Sequence, residues 1–533
     1  MTSSNVIRLL SAISLSWALM QPLDAQEHFE ALRDTTPWLQ SRNVAGLTAL
    51  PKGVRTNYAE AYFLKEDGGW GDYHASPDSY TFGARTASFF RVNDRLVVSG
   101  NVSYSNFKGR EMTGSVWLNP EDQPFDIVEM DPQYAGTKNK EHYNLMGALG
   151  LELGHGFSLG ASVDFTSANR AKRRDLRSQN KLMDMLATGG LLWSNEVVQA
   201  GISYTYRRTL EELLFKTYGT TGIFYASLID YGASFGVSEY SDANGLTDED
   251  EERPMLSTRH NVALQFGLSL GTFKWLHEGS LEWRDGYYGK RSLYTPVFME
   301  HYGNAWSYQG RLSWQGRHVL AYGIEGDHLK NWQNLFNYVN QGGGLNEYIY
   351  YGQHKTRGQR TLNASAGYKF YGRAWVHQIE ASYHERRLTA SFYPSYRRQR
   401  IHYAKVDVAS RRRWCAGPHD WSAELQLGYQ KGGGTMAEDG RYDGAGTEAV
   451  GGDGTTLVRT SLVTLPAALD RHYEYLTASQ GRMGLNLLYG RKLQSEKLRI
   501  FALLNAQYQR AWSVTEDIEN HHQTISLTLG CTF

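Results

Sequence analysis

The sequence has few of the residues on which other classes of protein depend. Its 533 residues include 2 cysteines and 12 prolines, and Lys+Arg and Asp+Glu are equal at 55 each. Cys415 and Cys531 provide neither a disulfide framework nor a metal cluster, and their separate strand or turn positions predict no bond between them. The balanced charge gives no general argument for a nucleic acid or a polyanionic partner.

Long apolar runs are also missing. Mean hydropathy is −0.51, and beyond the N-terminus no stretch of about 18 apolar residues could form a spanning helix. This excludes a helical membrane protein but not a β-barrel, whose strands are only half apolar.

Catalytic motifs are missing too. There is no Gly-x-Ser-x-Gly, no His-Glu-x-x-His and no convincing Ser/His/carboxylate set. His155, His277, His377 and His384 lie on or near predicted strands, where histidine is expected at a membrane interface. We therefore predict no enzyme activity, no cofactor and no metal site.

Aromatic residues and glycine are abundant. Aromatics make up 13% of the chain, with 35 Tyr and 14 Trp, and there are 55 Gly. Membrane β-barrels place aromatics in girdles at both interfaces and glycine at crowded or curved strand positions. This composition favours a membrane barrel.

Residues 1–25 predict a signal peptide. Arg8 supplies the positive start, Leu9 to Met20 form the apolar core, and Ala25 is a small residue suited to cleavage. The mature chain then begins at Gln26, and the expected location is the outer membrane of a Gram-negative bacterium. We divide the mature chain into a periplasmic or lumenal segment, 26–54, and a barrel, 55–533.

The mature chain alternates apolar and polar residues with a period of two. In 262–270 and 524–533, apolar residues take every second position, with polar or small residues between them. Such segments run for roughly ten residues and many begin or end in Tyr or Trp, which is typical of strands between lipid and a polar lumen. Because lipid tolerates no unpaired sheet edge, the sheet must close. The sequence predicts an all-β, transmembrane antiparallel up-and-down β-barrel.

The pattern predicts about 18 strands, in a range of about 16–20, joined by short periplasmic turns and long extracellular loops. The predicted strand centres lie near residues 60, 85, 101, 147, 162, 188, 202, 266, 281, 309, 323, 365, 380, 404, 425, 482, 504 and 527. The long loops are expected near 108–140, 168–180, 208–258, 286–302, 329–357 and 431–470. With both termini in the periplasm, the number of strands must be even.

Charged side chains point inward by the phase of the alternation. The candidate lumen-lining residues are Arg85, Glu152, Asp164, Glu278, Glu282, Arg284, Arg311, Glu424 and Arg499. Rings of charge set selectivity in pores, whereas mixed charges more often form cross-strand pairs that brace the wall. We favour bracing. The acidic run 248–252 and the Gly-rich stretch 432–455 are expected to be solvated loops.

The last strand carries a candidate assembly signal. Leu529, Cys531 and Phe533 continue its apolar face to a terminal aromatic residue. This ending resembles the C-terminal β-signal of outer-membrane barrels, which implies recognition by the barrel-assembly machinery. The other expected partners are outer-membrane lipid, lipopolysaccharide and, for an uptake role, neighbouring uptake components.

Two further segments carry resemblances. Residues 41–47 (SRNVAGL) resemble the Asn-Pro-Ala-Gly-Leu segment of FadL-type transporters, in which a small N-terminal plug sits in the lumen; Val44 replaces the proline. The alternative is a plain periplasmic lead-in. Residues 117–122 (WLNPED), together with the signal peptide, the aromatic strands and Phe533, are similar to an uncharacterised family of Gram-negative outer-membrane β-barrel proteins. That resemblance implies fold and location but no activity.

The favoured function is transport, as a porin-like channel or an accessory barrel of an uptake system, because this many strands can enclose a lumen. Only residues 26–54 precede the first strand, too few for the globular plug of a TonB-dependent receptor. The alternative is a filled barrel that acts as a surface structural or partner-binding protein through its long loops. A barrel hydrolase is a distant third.

Overall fold

The computed structural model describes residues 25–216, 225–241, 247, 253–292, 295–340, 346–442, 462–493, 498–512, 514–515 and 519–533. The first 24 residues of the predicted signal peptide, the acidic run 248–252 and part of the Gly-rich stretch, 443–455, lie outside these ranges.

The described residues are mostly in strands. In chain order these are β1 (Arg55–Asp67), β2 (Asp78–Arg91), β3 (Leu96–Met112), β4 (Gly114–Ser115), β5 (Asp126–Glu129), β6 (Gly136–Gly154), β7 (Phe157–Lys172), β8 (Arg177–Ser194), β9 (Val198–Lys216), β10 (Tyr225–Asp230), β11 (Phe235–Ser241), β12 (Arg253–Leu270), β13 (Phe273–Gly289), β14 (Val297–Trp314), β15 (His318–Asn340), β16 (Asn346–Tyr371), β17 (Trp375–Phe392), β18 (Ser395–Ala416), β19 (His419–Arg441), β20 (Leu462–Thr464), β21 (Ser479–Lys492), β22 (Arg499–Trp512) and β23 (His521–Thr532). The helices are α1 (Ala25–Thr35) and α2 (Pro466–Thr477), with 3-10 turns at Pro37–Gln40, Val44–Ala49, Pro120–Asp122 and Pro132–Tyr134.

Eighteen strands form one antiparallel wall: β1–β3, β6–β9, β12–β19 and β21–β23. Each pairs with its neighbours in this order, and β1 closes the barrel by pairing with β23, where Ala61 stands opposite Leu529. Every predicted strand centre falls within one of these strands. The prediction of a closed antiparallel barrel of about 18 strands is confirmed.

The connections at the periplasmic end are short, as between β6 and β7 or between β12 and β13. At the other end the wall extends far beyond the bilayer: β15 and β16 have 23 and 26 residues, whereas about 9–11 residues cross a membrane. The prediction of a long loop at 329–357 is wrong, because β15 and β16 occupy most of this segment. Outside lipid an apolar outer face is not required, so residues 325–331 (EGDHLKN) lose the alternation that identifies a strand.

Residues 29–50 lie inside the periplasmic end of the lumen, and we name them the N-terminal plug. Trp38, Ala45 and Leu50 are buried between the plug and the wall. Among the described residues, no backbone–backbone hydrogen bond joins the plug to a wall strand. Side chains make the contacts instead.

The extracellular connections fold inward and form a second body in the lumen. The strands β20, β11, β10, β5 and β4 pair in that order as a small sheet, which we name the loop plug together with residues 114–129. Its core contains the fully buried Trp117, Phe125 and Ile127, and it packs against the inner face of the wall. The wall residues in this core are Leu213, Phe215, Met255, Tyr288, Met299, Leu388 and Ala390.

The outer face of the wall is apolar. Leu264, Leu281 and Leu427 are more than half exposed in the isolated chain, as expected for side chains that face lipid. Trp193, Trp375, Trp414 and Trp421 are also exposed, close to the periplasmic turns, where an aromatic girdle belongs. None of the helices in the described ranges is both long and apolar enough to cross a membrane.

Candidate functional site

A chamber lined by polar groups lies between the two plugs. Cavities of about 450, 840 and 290 Å³ adjoin there, and Glu121 of the loop plug borders all three. The first cavity lies against β12–β17, the second against β1–β3, β6, β22 and β23, and the third against β18, β19 and β21. Sites for small molecules typically have volumes of about 300–1,000 Å³, so the chamber is large enough to hold one.

A row of glycines creates the space for the N-terminal plug. Gly150, Gly160 and Gly190 stand opposite one another on β6, β7 and β8. A Cβ atom on Gly160 would lie 2.1 Å from the backbone nitrogen of Ala45, which is closer than atoms can approach. Glycine in a strand often marks a place where another backbone comes close. The wall is therefore shaped to receive this segment.

Asn43 anchors the plug to the wall and is 1% exposed. Its Nδ2 donates to the carbonyl oxygens of Leu191 (2.9 Å) and Ile202 (3.2 Å) and to Oε1 of Gln265 (3.0 Å). Its Oδ1 accepts a hydrogen bond from the backbone of Ala45. One buried side chain thus joins the plug to β8, β9 and β12 at once.

Ion pairs join α1 to the other side of the lumen. Lys369 Nζ lies 2.6 Å from Glu30 and 2.9 Å from Asp34, and Arg411 Nη2 lies 3.2 Å from Glu30. Burial of Glu30 opposes its ionisation, but Arg411 and Lys369 outweigh this effect and hold the pKa of Glu30 below its usual value. These pairs are partly exposed to the lumen, so salt screens them.

The segment 117–122, which the sequence singled out, lies deep within the barrel. Trp117 packs edge-on against Tyr288 of β13, with ring centres 6.0 Å apart. The backbone nitrogen of Leu118 donates to the buried carboxylate of Glu211 on β9 at 2.8 Å. These contacts hold the turn Pro120–Asp122 in place at the chamber.

Three arginines form a row beneath this turn. Arg207, Arg259 and Arg284 stand opposite one another on β9, β12 and β13, an arrangement that is unfavourable without counter-charge. Asp122 supplies it, with Oδ1 at 3.0 Å from Arg259 and Oδ2 at 3.7 Å from Arg207, while Arg284 donates to its backbone oxygen at 2.7 Å. Burial opposes the ionisation of Asp122, but Arg259 and Arg284 outweigh it and lower its pKa.

The wall beside the arginine row is built from small residues. Gly303, Ala305 and Ser307 of β14 border the 450 Å³ cavity, and their short side chains leave its space open. Glu325 and Asp327 of β15 line the next part of the same cavity. The cavity therefore has guanidinium groups and the carboxylate of Glu282 towards β12 and β13, and two carboxylates towards β15. The guanidinium groups of Arg42 and Arg386 also border it.

The candidate lumen-lining residues do not form one ring of charge. Glu278 and Arg311 bind the N-terminal plug, at Ser41 (2.7 Å) and Gln40 (2.5 Å), and Glu282 and Arg284 border the chamber. The others bond to neighbouring wall residues: Arg85, Glu152, Asp164, Glu424 and Arg499.

The sequence did not indicate a contact that joins two extracellular connections to the wall. His472 of α2 lies 2.8 Å from Asp72, in the β1–β2 connection, and 2.8 Å from Arg386 of β17. Burial opposes the ionisation of Asp72, but His472 outweighs it and holds the pKa of Asp72 at about 2. Because 400 positions separate these two residues, no local pattern could reveal the pair. No group of three or more His, Cys, Asp or Glu within the described ranges could hold a metal ion.

The loop plug has a buried carboxyl group at its centre. Asp126 of β5 accepts hydrogen bonds from Tyr73 and Ser115, each at 2.7 Å. Burial raises the pKa of Asp126 to about 6, although both donors act in the opposite direction. Asp126 therefore takes up a proton in the weakly acidic range.

Comparisons with known proteins give one family and distant similarities to solved structures. The model of a family of unknown function (DUF6850) matches residues 44–533. The FrpB iron transporter from Neisseria meningitidis (F5-1 variant) is 9% identical, with 92% of this chain and 84% of that chain covered and a TM-score of 0.41. The outer membrane transporter YddB from Escherichia coli is 8% identical, with 90% and 81% covered and a TM-score of 0.38. No curated protein matches the chain. The similarity of 41–47 to FadL-type transporters is not shown by these comparisons.

Proposed function

The chain belongs to the family of unknown function DUF6850, and we propose that it is an outer-membrane transport barrel, closed at rest, that opens for a small polar solute. The observation that supports this proposal is the polar chamber between two plugs. In the described residues the N-terminal plug has no backbone–backbone hydrogen bond to the wall. The proposed location is the outer membrane of a Gram-negative bacterium.

The N-terminal plug is the part of the barrel that can move as a unit. It has no backbone pairing with the wall in the described residues. Its release breaks side-chain contacts, among them those of Asn43, Glu30 and Ser41, and exposes a few buried apolar side chains such as Trp38 and Leu50. Order–disorder of a segment is an established way for a protein to switch. Release of the plug would connect the chamber to the periplasm.

Deletion of residues 26–50 tests this function by single-channel conductance in planar bilayers. We expect the intact barrel to be silent for most of the time and the deletion variant to give stable conductance steps. Heat-modifiability of both proteins checks that the barrels are folded. Equal, steady conductance from both would contradict closure by the plug, and silence from the folded deletion variant would favour a filled barrel.

Silence of the intact barrel also separates a porin-like channel from an accessory barrel of an uptake system. A porin-like channel would conduct from time to time by itself. An accessory barrel would conduct only when a neighbouring uptake component displaces the plug. Conductance measured with and without solubilised outer-membrane proteins distinguishes the two.

A second candidate function is partner binding at the cell surface. The hairpin of β15 and β16 extends far beyond the bilayer, and Tyr338, Ile349 and Tyr351 near its tip are exposed. Exposed apolar groups of this kind mark interaction sites. If this function is correct, replacing the three residues with serine should remove partners from cross-linked outer-membrane samples. Replacing Arg317, in a periplasmic turn, should not.

The proposed assembly signal can be tested by Phe533→Ala, with Phe533→Tyr as the matched control. The backbone nitrogen of Phe533 donates to Asn57 of β1 at 3.0 Å, and its ring lies on the outer face. We expect the alanine variant to lower the yield of heat-modifiable barrel in the outer membrane and the tyrosine variant to keep it. An unchanged yield from Phe533→Ala would rule out this role.

A further inference from the structure

The arginine row depends on the loop plug for its charge balance. The guanidinium groups of Arg207, Arg259 and Arg284 are accompanied by three carboxylates: Asp184 and Glu282 of the wall, and Asp122 of the loop plug. When Asp122 leaves, three cations face two anions. A carboxylate brought by a solute would restore the balance, so Asp122 holds a position that a ligand could take.

Asp122 does not use the full binding capacity of the row. It lies 3.0 Å from Nη2 of Arg259, while Nε of Arg259 is buried and has no acceptor among the described residues. A guanidinium group binds a free carboxylate best through two parallel hydrogen bonds. An untethered carboxylate could orient itself for such a contact, whereas Asp122 is fixed by its turn.

The other part of the cavity offers the opposite charge. Glu325 accepts a hydrogen bond from Asn363 at 2.9 Å. Asp327 is hydrogen-bonded to Thr361, and the charges that act on it are Arg284, Arg357 and the neighbouring Glu325. Small residues of β14 separate these carboxylates from Arg284 and leave the space open. A solute that carried only negative charge would meet repulsion there, whereas an ammonium group would be attracted.

We propose that the 450 Å³ cavity binds a small zwitterion, of the size of an amino acid or a short peptide. Its carboxylate replaces Asp122 at Arg259 and Arg284, and its ammonium group lies at Glu325 and Asp327. The proposal rests on the transport function above and names the class of solute that the chamber accepts. Displacing Asp122 would also free the turn Pro120–Asp122 from the arginine row.

Titration calorimetry of the full barrel in detergent tests the site, with glycylglycine as the probe. Succinate and putrescine, at matched ionic strength, test the two charged ends separately. We expect glycylglycine to bind more tightly than either. Tighter binding of succinate or of putrescine would overturn the zwitterion assignment.

Variants at the carboxylate-binding end and at the ammonium-binding end of the cavity give a more specific test. Asp122→Asn removes the competing carboxylate and should raise the affinity for glycylglycine at least about tenfold, which corresponds to about 1.4 kcal/mol. Arg259→Gln and Asp327→Asn should each lower it by a similar factor. Arg317→Gln, in an exposed periplasmic turn, is the matched control and should leave it unchanged. An affinity that is the same in all of these variants would place the ligand elsewhere and refute the site.

Two further measurements keep the result interpretable. Heat-modifiability shows whether each variant is folded. Arg259→Lys keeps the positive charge but loses the two parallel donors of the guanidinium group, so its affinity for glycylglycine should lie between those of wild type and Arg259→Gln. Binding without any conductance in the deletion variant would overturn the transport function but keep the site. Conductance of the deletion variant without binding of glycylglycine would support the transport function but overturn the zwitterion site.

Discussion

The two plugs fill the same lumen by different means. The loop plug is folded: its strands pair with one another and its core buries Trp117, Phe125 and Ile127 against the wall. The N-terminal plug is docked: short turns lie against a row of glycines and are held by Asn43 and by partly exposed ion pairs. The loop plug has the larger apolar core. The N-terminal plug combines smaller apolar clusters, which contain Trp38 and Leu50, with specific polar contacts.

This difference shows which end of the barrel is suited to opening. Each large apolar side chain contributes on the order of 1.5–3 kcal/mol to stability when it is buried. Unfolding the loop plug would lose this contribution from many side chains at once. Exposed ion pairs are worth about 0–1 kcal/mol each, and hydrogen bonds about 0.5–1.5 kcal/mol. The N-terminal plug buries fewer apolar side chains than the loop plug, so we expect it to dissociate before the loop plug unfolds.

The largest expected effect comes from Gly160→Ala, which should unseat the N-terminal plug. The new Cβ atom would lie 2.1 Å from the nitrogen of Ala45, against backbone that cannot rotate away. We expect conductance that resembles that of the deletion variant, together with new trypsin cleavage at Arg42.

Gly189→Ala is the matched control for this substitution. Gly189 lies in the neighbouring strand, opposite Ala161, and a Cβ atom there meets nothing within 4 Å. If both Gly160→Ala and Gly189→Ala give silent channels and leave Arg42 resistant to trypsin, the glycine row does not hold the plug.

The next largest effect is expected at the centre of the loop plug. Trp117→Ala leaves a cavity in the apolar core, and large-to-small changes of this kind cost about 3–5 kcal/mol. Hydrogen exchange at the amides of β5 and β10 should accelerate accordingly, while the exchange of the N-terminal plug should not change. Trp193→Ala, on the outer face, controls for the loss of a tryptophan. A loss below about 1 kcal/mol would mean that the two plugs are alike in construction.

A smaller effect is expected on the pH dependence of the loop plug's stability. Because the pKa of Asp126 is raised to about 6, its contribution to stability is complete below the unfolded value near 3.8 and is lost as pH rises through about 6. A shift of two units corresponds to about 3 kcal/mol at most. The loop plug should therefore exchange faster at pH 7.5 than at pH 5, after correction for intrinsic rates.

Asp126→Asn should remove this pH dependence, because the amide stays neutral. Asp94→Asn, in an exposed periplasmic turn, should leave it intact. The same pH dependence in wild type and Asp126→Asn would assign the titration to another group.

The wall could be predicted from the sequence because lipid imposes a pattern on it. Every strand centre was found, since alternation is strict wherever one face meets the bilayer. The plugs are not subject to that constraint. Residues 117–122 stood out as a motif, but the contact of Asp122 with Arg259 joins positions 137 apart, and no local spacing encodes it. Residues 41–47 were open to two interpretations, and the structure places them in the lumen.

Closure of the wall has a consequence for biogenesis. The seam pairs β1 with β23, so Tyr58 meets Thr532 only after every wall strand between them has been synthesised, and contacts between such distant positions form slowly. The N-terminal plug immediately precedes β1. The N-terminal plug must therefore enter the lumen either before β1 pairs with β23 or afterwards, through the periplasmic end of the closed barrel. In either order, some molecules can become trapped with the plug outside the lumen. Refolded samples should be sorted by plug position before their channel activity is compared.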